Sequence, residues 1–361
     1  MTTFTASGRA WRALVELLGE ADQTFLDGPR ADLDALGVAE GYRHLAHLLS
    51  YAFDLYLEAD PERPVFTPLA SATRKMLGDN VDSRYFFAPL RGDRRYRIRG
   101  RRGDEDYLAF CVYGGPPDGE WSTRVVANLS QRDIACDADG GYTLTLAADA
   151  HGANAIRLEP DAVCVITREY YADRPRARPG EFVIEALDPP PAPPVPDDAW
   201  TARGLRAVAT FVRDTIQFTP LPGGLPPNLL GPAMAWNPHQ PGWGTPDNVY
   251  SLGLFRLEPD EALVVEGRSP RCTYWGAQVW NRFMQSLDYR YHRVSLNHAQ
   301  TRLEADGSFR LVIAHRDPGM PNWISTAGHR EGVVFCRWLQ AESLPDQPAS
   351  RVIRLEKTQH R

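Results

Sequence analysis

Apolar residues recur at helical spacing near the start of the chain. Over residues 8–26, Trp11, Leu14, Leu17 and Leu18 share one face; over residues 31–58, Leu33, Leu36, Tyr42, Leu45, Leu48, Leu49, Phe53 and Tyr56 do the same. Both spacings predict amphipathic helices, the second stopped by Pro61 and Pro64. A helical element of roughly sixty residues is too small for a dependable core, so it is expected to dock on the β region after it. From about Tyr85 the period changes to two. YFFAPL, RRYRIRG, DYLAFCVYGG, TRVVANLS, YTLTLAAD and AVCVITREYY, with EFVIEAL after them, alternate apolar and polar positions between turn signals. Short strands at this spacing predict a β-sandwich or barrel.

DPPPAPPVPDD then reads as an extended, semi-rigid linker. A helix comes next, from about Asp198 to Thr215, with Leu205, Val208, Phe211 and Val212 on one face. Residues 219–248 hold eight prolines and little periodicity, yet carry Leu, Met and Trp. A long loop of this composition is expected to be an ordered lid or crossing arm. Strands resume after it and run to Leu339.

The two β regions match one another. GDNVDSRYFFAPLRGDRRYRIRGRR aligns with TPDNVYSLGLFRLEPDEALVVEGRS, setting Asp79-Asn80 on Asp247-Asn248 and Tyr107 on Tyr274; DADGGYTLTLAADAHG aligns with EADGSFRLVIAHRDPG. The offset stays at 167 or 168 residues throughout, which predicts a duplicated domain rather than a solenoid. The fold expected is mainly β, α+β overall: two tandem jelly-roll-like antiparallel sandwiches with an N-terminal helical element and a linking helix. The divisions are residues 1–62 (helical element), 63–187 (first sandwich), 188–248 (linker, helix and arm), 249–345 (second sandwich) and 346–361 (tail).

Within this pattern, DNVYSLGLFRLEPDEALVVEG, WNRF, DYRY, LNHAQT, DGSFRLVIAHRDPG and PNWISTAGHREG resemble a bacterial family known only as domain of unknown function 1214. The resemblance is strong over residues 245–339 and weak before them. It implies a jelly-roll-like sandwich, sometimes with a second such domain, and implies no reaction.

Composition narrows the classes. A net charge of −6 argues against a nucleic-acid partner, and no apolar run approaches the length of a membrane span. The five cysteines are odd in number and form no Cys-x-x-Cys pair, so a reducing, cytoplasmic setting is expected rather than a disulfide framework. The N-terminus is charged through its apolar positions and does not read as a signal peptide. Walker, dinucleotide GxGxxG, GxSxG and HExxH motifs are missing from the sequence.

Candidate chemistry concentrates in residues 273–339, which hold four of the nine tryptophans and four of the nine histidines. His315, Arg316 and Asp317 come directly after the strand FRLVIA and enter a turn. His315 is suited to move a proton and Asp317 to orient it, while Arg282 or Arg316 would stabilise negative charge; the competing reading is a surface turn. His329, His298 and His292, with His315 and Asp317, match no diagnostic metal spacing, and no cofactor is expected. Tyr274, Gly276, Gln278 and Trp280 alternate onto one strand face that suits a ligand cavity. Asn281, Tyr289, Asn322 and Trp323, with Trp236 and His239 from the arm, complete the expected binding set, against the reading that these aromatics fill a core. Arg95, Arg97 and Arg99 alternate onto one strand face able to hold a carboxylate, phosphate or sulfate, against the favoured reading of a charged edge strand.

Three functions are compatible with this pattern. The first is a cofactor-independent enzyme of lyase, hydratase, isomerase or hydrolase type, acting on a hydrophobic or aromatic small molecule such as a lipid, terpenoid or steroid-like compound. The second is a non-catalytic carbohydrate- or small-ligand-binding sandwich protein. The third is an assembly protein that forms homo-oligomers.

Overall fold

The computed structural model describes residues 5–27, 32–189, 192, 195–218 and 225–356. Part of the expected polyproline linker (190, 191, 193 and 194), the first residues of the arm (219–224) and the end of the tail (357–361) lie outside the described residues.

The helical periodicity becomes α1 (Ala6–Leu26) and α2 (Ala35–Ala52), which runs into a π-helical turn at Phe53–Leu57; the linking helix is α3 (Asp198–Phe218). Each helix start has a capping oxygen. Thr5 accepts from Gly8 N–H, Asp34 from Gly37 N–H and Asp197 from Trp200 N–H; Asp198 of α3 accepts from the N–H groups of Ala6 and Ser7 (2.8 and 2.9 Å), which ties α3 to the start of α1.

The first copy contains β1 (Thr67–Pro68), β2 (Ser83–Pro89), β3 (Tyr96–Arg101), β4 (Tyr107–Gly114), β5 (Arg124–Ser130), β6 (Gly141–Ala147), β7 (Ala155–Arg157), β8 (Ala162–Tyr170) and β9 (Glu181–Ala186). The second contains β10 (Met234–Ala235), β11 (Asn248–Arg256), β12 (Glu261–Gly267), β13 (Tyr274–Trp280), β14 (Ser295–Asn297), β15 (Phe309–Ala314), β16 (Trp323–Ser325), β17 (Glu331–Leu339) and β18 (Ala349–Arg354). Their sheets correspond strand for strand. β1-β2-β8-β4-β5 matches β10-β11-β17-β13-β14, and β7-β6-β3-β9 matches β16-β15-β12-β18. Each copy is thus a two-layer sandwich with one parallel pair, β6 with β7 and β15 with β16. Two segments read as irregular are strands. Residues 349–354, expected as tail, pair with β12 as β9 pairs with β3, and the arm supplies β10.

Alternation sends one set of side chains inward. Leu263, Val265, Leu311 and Ile313 of one sheet meet Trp275, Val279, Val334 and Trp338 of the other, all buried, and the first copy has its own such core. Burying side chains of this size stabilises by roughly 1.5–3 kcal/mol each. The helices cover the outward face of β2, β8 and β4, where Phe87, Cys111, Tyr113, Cys164 and Ile166 join Phe25, Tyr51, Val208 and Phe211 in one cluster. β3 is not the edge strand expected: it lies between β6 and β9, and Arg97 and Arg99 on its outer face pair with Glu185 of β9.

The helices also reach the second copy, where Phe25 and His44 pack on Phe283 and an ion pair forms. His329 Nε2 lies 3.0 Å from the Glu40 carboxylate of α2. Burial opposes the imidazolium, but Glu40 outweighs it and raises His329 above its ordinary 6.5. A raised folded-state pKa contributes stability that is fully present below 6.5 and is lost as pH rises through the raised value. Melting temperature is therefore expected to fall from pH 6 to pH 8.5 in the native protein and to change less across that range in Glu40→Gln. Equal slopes would remove His329 from the account.

Candidate functional site

The two sandwiches meet through the outward faces of equivalent sheets, and they do so by exchange. Tyr107 Oη and Asn128 Nδ2 of the first copy donate to Asp247 Oδ2 at the entrance to β11 (2.7 and 2.8 Å). Tyr274 Oη and Asn297 Nδ2 of the second donate to Asp82 Oδ2 at the entrance to β2 (2.8 and 2.9 Å). Tyr113 Oη donates to the Gly244 carbonyl, and Trp280 Nε1, its counterpart on β13, donates to the Asp79 carbonyl (2.5 and 3.0 Å). Arg168 of β8 donates to the Trp243 carbonyl and Arg337 of β17 to the Gly78 carbonyl. The segment before each copy's first long strand therefore serves the other copy. The partners also correct the alignment: Asp82, rather than Asp79, is the counterpart of Asp247.

Around this pseudo-twofold junction the side chains are aromatic and cationic. Tyr107, Ala109, Tyr170, Tyr274 and Leu339 form a buried cluster. Arg337 Nη1 donates to the hydroxyls of Tyr170 (2.8 Å) and Tyr85 (3.4 Å), and Arg168 Nη2 to that of Tyr113 (2.8 Å). Burial opposes ionisation of the Tyr170 phenol, but Arg337, the Tyr85 hydroxyl and Arg168 together hold it below its ordinary value. Burial pushes Tyr250 up to about 12. It also pushes the Asp82 carboxyl up, against the hydrogen bonds from Asn297 and Tyr274.

The copies differ in what lies beyond the junction. In the first, helices cover most of the outward face. In the second, Tyr250, Leu252 and Leu254 of β11, Phe335 and Arg337 of β17 and Trp280 of β13 border a cavity of about 900 Å³. Its remaining wall comes from Met76–Gly78, Met284, Trp121 and the described part of the arm. The arm runs along β11: Gly231 N–H donates to the Leu252 carbonyl and Asn228 N–H to the Leu254 carbonyl (2.9 and 2.6 Å), and a Cβ at Gly253 would meet the Leu229 carbonyl at 2.1 Å. Trp243 lines this cavity and also a second one of about 710 Å³, between α3 and the ends of β2 and β8.

Of the residues expected from sequence, Trp280 and Trp236 line the larger cavity. The predicted face of Tyr274, Gly276, Gln278 and Trp280 exists, but Tyr274 and Gln278 face the other copy, with Gln278 bonded to the Asp79 carbonyl. His315 stands apart: Nδ1 lies 2.8 Å from Thr326 Oγ1 and Nε2 3.2 Å from the Leu257 carbonyl. Asp317 accepts from Gly319 N–H in an exposed turn, and Arg316 is exposed beside it. Arg282 pairs with Glu331 and Asp32. Asn281 accepts from the N–H groups of Phe283 and Gln285. Asn322 bonds the backbone of Arg302 and Arg310, and Trp323 Nε1 the Ala314 carbonyl. Tyr289 packs beneath Lys75 Nζ, 4.7 Å from the ring centroid, and His239 is exposed. The structure therefore does not gather the His315 set into one site. Among the described residues no group of three or more His, Cys, Asp or Glu side chains is arranged to hold a metal ion, and no helix is long and apolar enough to cross a membrane.

Sequence reasoning set Arg337 beside Arg168 as an inter-sheet or inter-domain contact without chemistry, and gave Tyr250, Leu252 and Phe335 no role. The available signal was an arginine at an outward position of an otherwise apolar strand, repeated as Arg168 in the first copy.

Fold and junction define a class: tandem sandwiches, duplicated in sequence and exchanging their entry segments. Within it the chain belongs to the DUF1214 family, described as a protein of unknown function, whose model matches residues 257–343. The crystal structure of an uncharacterised protein from Burkholderia cenocepacia is 30% identical over 98% of this chain and 99% of that one, with a TM-score of 0.89. The VPA0106 protein from Vibrio parahaemolyticus is 11% identical over 94% of this chain and 100% of its own, with a TM-score of 0.49. No curated protein matches the chain.

Proposed function

We propose that this protein binds a hydrophobic small molecule in the cavity on the outward face of the second sandwich, beneath the arm. One observation carries the reading. The duplication presents the same face twice: helices cover most of one, leaving about 710 Å³ at its strand ends, while the other carries a cavity of about 900 Å³ with aromatic and aliphatic walls directly over the sheet. Large cavities lined by apolar side chains with a few polar groups are the usual form of small-molecule sites. The ligand-binding reading is favoured over acid–base catalysis by His315, which does not line the cavity. A catalytic reading of the cavity itself would draw on the Tyr170 phenol behind Arg337.

Leu252 is half-buried on the cavity wall, so Leu252→Trp should fill the space at modest cost. Titration with Nile red, a neutral apolar dye, is expected to show saturable one-to-one binding to the native protein. Leu252→Trp should weaken it by at least roughly ten-fold, about 1.4 kcal/mol, with a melting temperature close to native. Absence of saturable binding, or equal binding by a folded Leu252→Trp, overturns the proposal.

A further inference from the structure

The larger cavity is mostly apolar, with Asn237, Gln240 and one charged side chain in its lining. Arg337 is the charged residue among its described lining, and it is only 4% exposed. Its guanidinium carbon lies 5.0 Å from the Phe335 ring centroid, 5.8 Å from that of Tyr250 and 6.0 Å from that of Trp280. Every acceptor it reaches among the described residues is neutral: two tyrosine hydroxyls and the Gly78 carbonyl. The nearby carboxylates are occupied elsewhere, Asp79 by Ser286 N–H and Oγ–H, and Asp82 by Tyr274 and Asn297. No described carboxylate forms an ion pair with Arg337, and its Nε–H donates to no described acceptor. Trp236 Nε1, on the same wall, is also buried without an acceptor among the described residues.

A charge removed from water is costly unless an opposite charge or a full set of hydrogen bonds replaces the lost hydration. Arg168, at the equivalent position, also meets neutral acceptors, Tyr113 and the Trp243 carbonyl, and its Nη1 is buried without an acceptor among the described residues, but it lines neither cavity. Arg337 differs because it reaches open space. A guanidinium edge matches a planar oxyanion through forked hydrogen bonds. One positive charge in an apolar enclosure suits one negative charge, whereas a phosphate dianion would bring a second charge with no cation to meet it.

Resting on the cavity reading above, we infer that the ligand is a monoanionic organic acid. Its carboxylate is held by Arg337, and its apolar body lies along Leu252, Leu254 and Phe335 toward Trp243.

The test compares three probes of one chain length as competitors of Nile red on the full-length protein: dodecanoate, dodecan-1-ol and dodecyltrimethylammonium. Dodecanoate is expected to bind at least roughly ten-fold more tightly than the alcohol, in line with a charge-assisted hydrogen bond, and the cation more weakly than either. Arg337→Gln should bring acid and alcohol within about two-fold of each other while still binding Nile red. Should that variant fail to fold, the acid-to-alcohol ratio of the native protein decides alone. An alcohol that matches the acid on native protein, or an acid preference that survives Arg337→Gln, overturns the assignment. If Leu252→Trp still blocks Nile red in that case, the cavity reading stands and only the head group is lost. If Nile red does not bind the native protein, the cavity reading itself has failed.

Discussion

Asp82→Ala is expected to lower the unfolding free energy by about 2–4 kcal/mol, because it strands the Tyr274 hydroxyl and the Asn297 amide in a buried junction. Both bonds are accepted by one carboxylate oxygen, Asp82 Oδ2. Asp82→Asn keeps an oxygen able to accept both bonds, so it should cost less than half as much. Asp247→Ala, which releases Tyr107 and Asn128, should act in the same direction. Urea unfolding curves check this. Losses near 0.5 kcal/mol for both alanine variants would mean that the exchanged aspartates do not hold the copies together.

The second large effect is expected at Trp243. Its ring stacks on Phe211 (centroids 5.7 Å apart, 17° between planes) and lies 4.6 Å from the Trp121 ring. Its indole N–H bonds Ser122 Oγ. Trp→Ala changes in cores cost about 3–5 kcal/mol, and a half-buried ring should fall toward the lower part of that range. Because Trp243 borders both cavities, Trp243→Ala should also join them. The preference among linear carboxylates is then expected to move from dodecanoate toward hexadecanoate, whereas Trp243→Phe should retain the native order. Competition titrations with a chain-length series read this directly. An unchanged preference in a folded Trp243→Ala would show that the ring is not a partition.

Much of the fold was legible because strand alternation and helical spacing are local. The faces of β13 and β17, the docked helices and the duplication are all set by residues close in sequence. The tail strand β18 was harder to read. Four of its six residues, in ASRVIR, are exposed, so it carries little of the apolar alternation that marks a buried strand. The site was less legible for a different reason. Tyr107 and Asp247, or Trp280 and Asp79, lie far apart along the chain, and nothing in either segment names its partner. Aligning Asp79-Asn80 on Asp247-Asn248 matched their sequences but concealed the aspartate used, Asp82. The His, Arg and Asp trio after β15 drew attention as ionisable residues in a turn, yet His315 is committed to Thr326 and Leu257. Arg337 is the more informative ionisable residue because it sits where an apolar strand predicts none.

The exchange of entry segments has a consequence for how the chain is made. When synthesis has passed β8, the first sandwich has all of its strands but β9, yet Tyr107, Tyr113, Asn128 and Arg168 still lack the acceptors supplied by residues 243–247. At roughly 5–20 residues per second, that wait lasts several seconds on the ribosome. Contacts this distant in sequence also slow folding after release. The nascent first copy therefore presents an unfinished, arginine-bearing aromatic face, a natural target for a holding chaperone until the second copy emerges to close it.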